Sequence, residues 1–381
     1  MITSRRGFLR SLGAGTALAT SWPLTGTSRA ATFEPSRLAG NDSFIHLNSN
    51  ENAYGPSAKV SDAIRFSIGS VNRYPGEQYD GLVERIAGLN KVKPEQVLLG
   101  CGSSEILRVS ALAFLGQGNQ LIQASPTFEV MEHCARAAGS DVISVRLTKG
   151  FAHDLDGMLA RASTSTRLVY ICNPNNPTAS LTPRGELENF IRQLPASTFV
   201  VIDEAYHHYA GQSGMYASFI DRPLDDERVI VARSFSTVYG LAGLRLGYAV
   251  ASARVIQQMR TFVTENSINS IATQAAGAAL DDTDALHDFV HRNADDRQEF
   301  FNQAMARALK PIDSHANFAM MNTFHPAEGV VQHFRKNGVL IGRPFPALDT
   351  YIRVSFGRPK EMLVFWRIWD MLPYPKHSMQ H

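Results

Sequence analysis

The chain has 381 residues, 44% of them hydrophobic, with a formal net charge of +2. That length and apolar content suit one large domain plus a smaller one and exclude a disordered chain. Near-balanced charge, with basic residues spread along the sequence, argues against nucleic acid as a main partner, and three widely spaced cysteines, Cys101, Cys134 and Cys172, suggest neither a disulfide framework nor a zinc site.

At the N-terminus, Ser4-Arg5-Arg6-Gly7-Phe8-Leu9-Arg10 fits the twin-arginine export pattern S-R-R-x-F-L-[KR]. Ser11 to Leu24 is mildly apolar but too short and too polar for a stable membrane anchor. Ser28-Arg29-Ala30 offers small residues to a signal peptidase. Residues 1–30 are therefore expected to be a signal peptide read by the twin-arginine machinery, giving a periplasmic or exported protein. Residues 31–43 read as a polar linker.

Further along, Gln96–Leu99, Gln120–Ala124, Val142–Val145, Leu168–Ile171, Phe199–Ile202 and Val229–Val231 are short apolar runs expected to be buried strands. Helical patterns lie between them at Ser104–Phe114, Phe128–Ala138 and Pro183–Leu194, the last with Thr182 as N-cap and Pro183 in the first turn. This alternation predicts an α/β fold with a mostly parallel sheet flanked by helices. Its functional loops should lie beyond the C-terminal ends of the strands. From Ser267 to Lys310 the pattern is helical, with Pro311 ending it. Short strands at Phe318–Met321, Val339–Ile341 and Tyr351–Ser355, and helices at Ala327–Lys336 and Lys360–Met371, predict a smaller α+β domain. The expected division is an N-terminal arm at 31–70 joining the small domain, a large domain at 71–270, and a linking helix with the C-terminal small domain at 271–381.

Several strand-end motifs carry chemistry. Gly100-Cys101-Gly102-Ser103-Ser104-Glu105 is a strand-to-helix turn whose free N–H groups and helix dipole suit a phosphate. Pro126-Thr127-Phe128 follows the next strand. Asn173-Pro174-Asn175-Asn176-Pro177-Thr178 is a proline-stiffened loop in which Asn176 can donate an amide hydrogen. Asp203-Glu204-Ala205-Tyr206 ends another strand, and Ser234-Phe235-Ser236-Thr237 runs through Leu241-Ala242-Gly243 to Arg245. His207 and His208 are adjacent, and on a strand or loop their side chains should point to different sides. No second cluster has ligand spacing, so no metal is expected.

Taken together, these runs resemble the class I/II pyridoxal-phosphate (PLP) aminotransferases of fold-type I, and most closely the histidinol-phosphate aminotransferase branch. The resemblance implies a PLP-transferase fold, and a phosphate held by Gly102, Ser103, Ser104, Ser234, Ser236 and Arg245. It further implies a ring stacked on Phe128, its nitrogen facing Asp203 and its phenolic oxygen reached by Asn176 and Tyr206. Asn50 and Arg353 would meet an amino acid or 2-oxo acid substrate, Arg353 gripping its α-carboxylate. Tyr74, in Asn72-Arg73-Tyr74-Pro75, would reach the neighbouring subunit's cofactor phosphate, which implies a homodimer. Glu204 reads as structural. The chain departs from the pattern at Ala179, where glycine is usual.

The larger departure is Thr237. The family has a lysine there, which holds the cofactor covalently and shuttles a proton. No lysine lies between Lys149 and Lys310 to replace it. Three readings are compatible with this: an aminotransferase with impaired or lost activity, a protein that binds PLP or pyridoxamine phosphate (PMP) non-covalently and does altered chemistry with Tyr206 or His207 moving protons, and a non-catalytic binder of an amino acid or phosphorylated cofactor.

Overall fold

The computed structural model describes residues 44–373. The twin-arginine pattern, the apolar stretch and cleavage residues after it, and the linker at 31–43 lie outside the described residues.

Strand β1 (Ile45–Leu47) opens the described chain. A seven-stranded sheet follows, made of β2 (Val97–Gly100), β3 (Gln120–Ser125), β4 (Asp141–Arg146), β5 (Thr166–Cys172), β6 (Phe199–Asp203), β7 (Val229–Ser234) and β8 (Gly247–Val250). Its spatial order is β2-β8-β7-β6-β5-β3-β4. All neighbours are parallel except those of β8, which runs antiparallel to β7 and β2. The later strands are β9 (Lys310–Pro311), β10 (Phe318–Asn322), β11 (Val339–Ile341) and β12 (Tyr351–Ser355). Of these, β12, β10 and β9 form a small antiparallel sheet, while β11 pairs in parallel with β1. Leu47 thereby joins the apolar cluster of Phe300, Phe334, Phe365 and Trp366.

The central strands follow from their letters. On β5, Leu168, Tyr170 and Cys172 enter one apolar cluster, together with Ile106 and Val109 of the helix Ser103–Phe114. Val169 and Ile171 enter the other, with Leu187 and Ile191 of the helix Arg184–Gln193. A strand covered on both faces must be apolar throughout. Each such side chain contributes about 1.5–3 kcal/mol by leaving water. The same alternation governs the strand ends. Val201 lies with the first cluster and Val200 and Ile202 with the second, so Asp203 continues the first series and Glu204 the second. On β7, Ile230 and Ala232 belong to the first and Val231 to the second, which sorts Ser234 with Asp203 and Arg233 with Glu204.

Four expectations need correction. Thr182 is not the N-cap of Arg184–Gln193; Pro183 occupies that place, and the Thr182 hydroxyl instead accepts from the His153 backbone N at 2.9 Å. The helix expected from Phe128 begins at Val130, because Pro126–Phe128 is drawn into a strand-end loop. The stretch after Ser267 is two helices, Ser270–Leu280 and Thr283–Met305. The second stops before Lys310 because Ala308 turns left-handed (φ 57°) and Leu309 N bonds back to Ala304 O, while Pro311 sits in β9. Finally, β8 was not foreseen, since four residues containing a glycine resemble a loop.

Candidate active site

The C-terminal ends of β2, β5, β6 and β7 gather most of the residues singled out above. At the end of β2, Gly102 holds a φ of +76°, and a Cβ there would collide with the Arg245 guanidinium. Glycine is therefore required for the turn and for the arginine's approach. Ser103 and Ser104 open a twelve-residue helix directly after it, so the positive helix end and the Arg245 charge lie side by side. Arg245 Nη1 donates to Ser236 Oγ at 3.2 Å and to Ala242 O at 3.1 Å, and Ser234 Oγ accepts from Ser236 N at 3.0 Å. Gly102, Ser103, Ser104, Ser234, Ser236 and Arg245 thus form one cradle suited to a phosphate.

Asp203 is 2% exposed. Its Oδ2 accepts from the Tyr170 hydroxyl at 2.9 Å and its Oδ1 from Ala205 N at 3.1 Å. No cation among the described residues faces it, and burial pushes its carboxyl up to about 6. A buried carboxylate with only neutral donors is costly unless something cationic joins it.

Beside it, the Tyr206 hydroxyl accepts from Asn50 Nδ2 at 3.0 Å and Asn176 Nδ2 at 3.3 Å. Burial raises the Tyr206 phenol, so it stays protonated. Asn176 Oδ1 accepts from Arg353 Nη1 at 2.7 Å, and Arg353 Nη2 donates to Asn48 O at 2.8 Å. Among the described residues Arg353 Nε is buried without a partner, and the guanidinium lies over Phe318 at 5.6 Å and Phe345 at 5.4 Å. Tyr206, Asn50, Asn176 and Arg353 are one connected set. Asn175 stitches the loop to its neighbour, accepting from Thr127 Oγ1 at 2.8 Å and donating to Pro126 O at 3.1 Å, beside half-buried Phe128. Ala179 adopts φ 59°, the left-handed conformation that glycine would take more cheaply.

Thr237 is buried, and its hydroxyl donates to Ala205 O at 2.8 Å. Tyr74 stands apart: it is 80% exposed. The histidines depart from expectation. His207 and His208 share a single-turn helix, His207–Ala210, with ring centroids 3.7 Å apart rather than on opposite sides. Burial holds His207 well below the usual histidine range and His208 at about 3. Among the described residues no cluster could hold a metal.

Tyr170 escaped sequence reasoning. A strand tyrosine looks like core, and only the register that pairs Tyr170 with Val201, two residues before Asp203, exposes its role.

Known proteins similar to this chain share one family. The family model "Aminotransferase class I and II" matches residues 42–365. A histidinol-phosphate aminotransferase of Caldicellulosiruptor saccharolyticus is 34% identical over 87% of this chain and 92% of its own length. Histidinol-phosphate aminotransferase 2 of Carboxydothermus hydrogenoformans is 36% identical over 86% and 90%. The crystal structure of histidinol-phosphate aminotransferase from Sinorhizobium meliloti in complex with pyridoxal-5'-phosphate superposes with a TM-score of 0.80, at 27% identity, over 85% of this chain and 89% of that one.

Proposed function

This chain belongs to the class I and II aminotransferases, and we propose that it binds PLP or PMP without a covalent bond, together with an α-amino acid or its 2-oxo acid. Members of this family depend on PLP and are generally homodimeric with small-molecule substrates. The residues present fit the cofactor. A lone buried carboxylate suits a protonated ring nitrogen, and a cradle of helix end, serines and arginine suits a phosphate. The observation that carries the reading is Asp203, buried at 2% exposure with neutral donors and, among the described residues, no cation of its own.

When bound, the cofactor would supply an electron sink for the substrate's α-carbon through a protonated ring. Asp203 would favour the proton on that ring nitrogen. Gly102, Ser103, Ser104, Ser234, Ser236 and Arg245 would bind the phosphate, and Phe128 would cover the ring. Asn176 and Tyr206 would orient the phenolic oxygen. Arg353, with Nε lacking a partner, would take the α-carboxylate, with Asn50 beside it. Tyr74, exposed in the single chain, would complete the site of a second copy. Thr237 has no amine with which to form a Schiff base, and its hydroxyl donates to Ala205 O. Loss of a positioned acid–base group alone forfeits on the order of 10² to 10⁴ in rate, so binding persists while transamination is impaired. The Ser4–Arg10 pattern supports export by the twin-arginine route, which carries folded proteins and suits a cofactor acquired in the cytoplasm.

Fluorescence titration with PLP and PMP tests the reading, since both should saturate the wild type and bind far more weakly to Asp203→Ala. Half-transamination with a panel of amino acids, histidinol phosphate included, should run faster in Thr237→Lys than in wild type. Equal, rapid rates would remove the claim of impairment. Failure of both cofactor forms to bind would leave a cofactor-free amino-acid binder, which the same panel detects by ligand-induced thermal shift. Histidinol phosphate lacks an α-carboxylate, so preference for it would reassign Arg353 to a phosphate.

A further inference from the structure

We propose that Thr237 has a positive role: its hydroxyl is a strut that holds the 203–206 turn ready for ligand, aiming Asp203 and Tyr206 before any cofactor arrives. The proposal rests on the cofactor reading above and assigns Thr237 as a positioning residue.

The contacts form a closed ring. Thr237 Oγ1 donates to Ala205 O at 2.8 Å, and Ala205 N donates to Asp203 Oδ1 at 3.1 Å, so the strut grips the peptide unit next to the one that aims the carboxylate. The following residue, Tyr206, receives Asn50 Nδ2 at 3.0 Å. Two residues on from Asn50, Asn52 Nδ2 donates to Val238 O at 2.8 Å, which returns the ring to the neighbour of Thr237. Val238 packs with Tyr206, Tyr209 and Phe318 in one buried cluster. On the other side, Gly240 N donates to Thr237 O at 3.0 Å, and Gly240 (φ +66°) lies so close to the Gly55–Pro56 backbone that a Cβ could not be accommodated. The segment around Thr237 is therefore fixed to the N-terminal segment on one side and to the Asp203–Tyr206 turn on the other. The hydroxyl is the side-chain donor that closes the second attachment.

A ring of this kind does for a free cofactor what a covalent tether would otherwise do. Ordering the polar groups in advance removes that cost from binding. A threonine also brings a β-branched, stiff side chain with few rotamers, which suits a strut.

The test compares wild type, Thr237→Ser (donor kept) and Thr237→Val (shape kept, donor lost) in the full chain. Hydrogen exchange on the cofactor-free protein should be about tenfold faster in the 203–210 segment of Thr237→Val, consistent with one lost hydrogen bond. Thr237→Ser should match wild type, and the helix Arg184–Gln193 should be unchanged in all three. PMP affinity should fall about tenfold in Thr237→Val alone. The pH midpoint of PMP binding should move upward, because the Ala205 N–H that holds the Asp203 carboxylate ionised is loosened. Wild-type protection in the Thr237→Val turn, a Thr237→Ser variant behaving like valine, or an unmoved midpoint with weakened binding would each overturn the strut. If none of the three proteins binds PMP, the cofactor reading fails while the exchange comparison still decides the role of the hydroxyl.

Discussion

Asp203 and Glu204 are consecutive carboxylates at the end of one strand, 2% and 1% exposed, yet they have opposite surroundings. Glu204 meets Arg233 Nε at 3.1 Å, the Ser218 hydroxyl at 2.6 Å and Phe219 N at 2.8 Å. Asp203, on the other face of the sheet, meets among the described residues only a tyrosine hydroxyl and one backbone N–H. Strand alternation produces the division, since Arg233 on β7 shares a face with Glu204 while Ser234 shares one with Asp203. One carboxylate has its cation within the chain and belongs to the scaffold. The other leaves that place to a ligand.

The contrast breaks most visibly at Glu204. Glu204→Gln removes the buried carboxylate at 3.1 Å from Arg233, leaving it the exposed Asp221 at 3.8 Å, and should cost about 3–5 kcal/mol of stability, read by urea unfolding. A loss below about 1 kcal/mol would mean that the pair is not structural.

Asp203→Asn should do the reverse. Burial lifts the Asp203 carboxyl to about 6 from 3.8, so the folded chain binds the proton more tightly than the unfolded one. Stability of the cofactor-free protein should therefore fall as pH rises from about 4 to about 6 and level off above. The total is on the order of 3 kcal/mol, at 1.36 kcal/mol per pKa unit. Asp203→Asn should remove that descent and leave the protein as stable as wild type, or more so, at pH 7.5, while weakening PMP binding by about 2–3 kcal/mol. A variant that is markedly less stable at pH 7.5 would place Asp203 with Glu204 as scaffold.

The smallest effect sharpens the same division. Tyr170→Phe removes one of the two donors to Asp203 and should weaken PMP by about 1 kcal/mol. It should also raise the pH at which binding is half lost, since the tyrosine hydrogen bond holds the carboxyl down. Unchanged affinity and pH dependence would reduce Tyr170 to a core residue.

The sequence made much of this legible. Apolar runs located six strands of the main sheet, and Gly102, Asn176, Asp203 and Arg245 were singled out by the resemblance of their motifs to a known family. Tyr170 was not, because a strand tyrosine is chemically silent until register places its hydroxyl. Nor could letters separate Asp203 from Glu204 by surroundings: Arg233 lies 29 positions beyond Glu204 and reaches it only across the sheet. The stacking of His207 on His208 was misread, since adjacency implies opposite sides on a strand but not in a helical turn. What Thr237 touches depends on a contact 32 positions away, to Ala205.

The central claim is that the chain holds its cofactor without a covalent bond. It is tested most directly by intact mass after incubation with PLP and reduction with borohydride, under denaturing conditions. Wild type should keep the mass of the unmodified chain although it binds PLP when native, and Thr237→Lys should gain one phosphopyridoxyl group, PLP less one oxygen, at position 237. A stoichiometric cofactor adduct on the wild-type chain would contradict the claim.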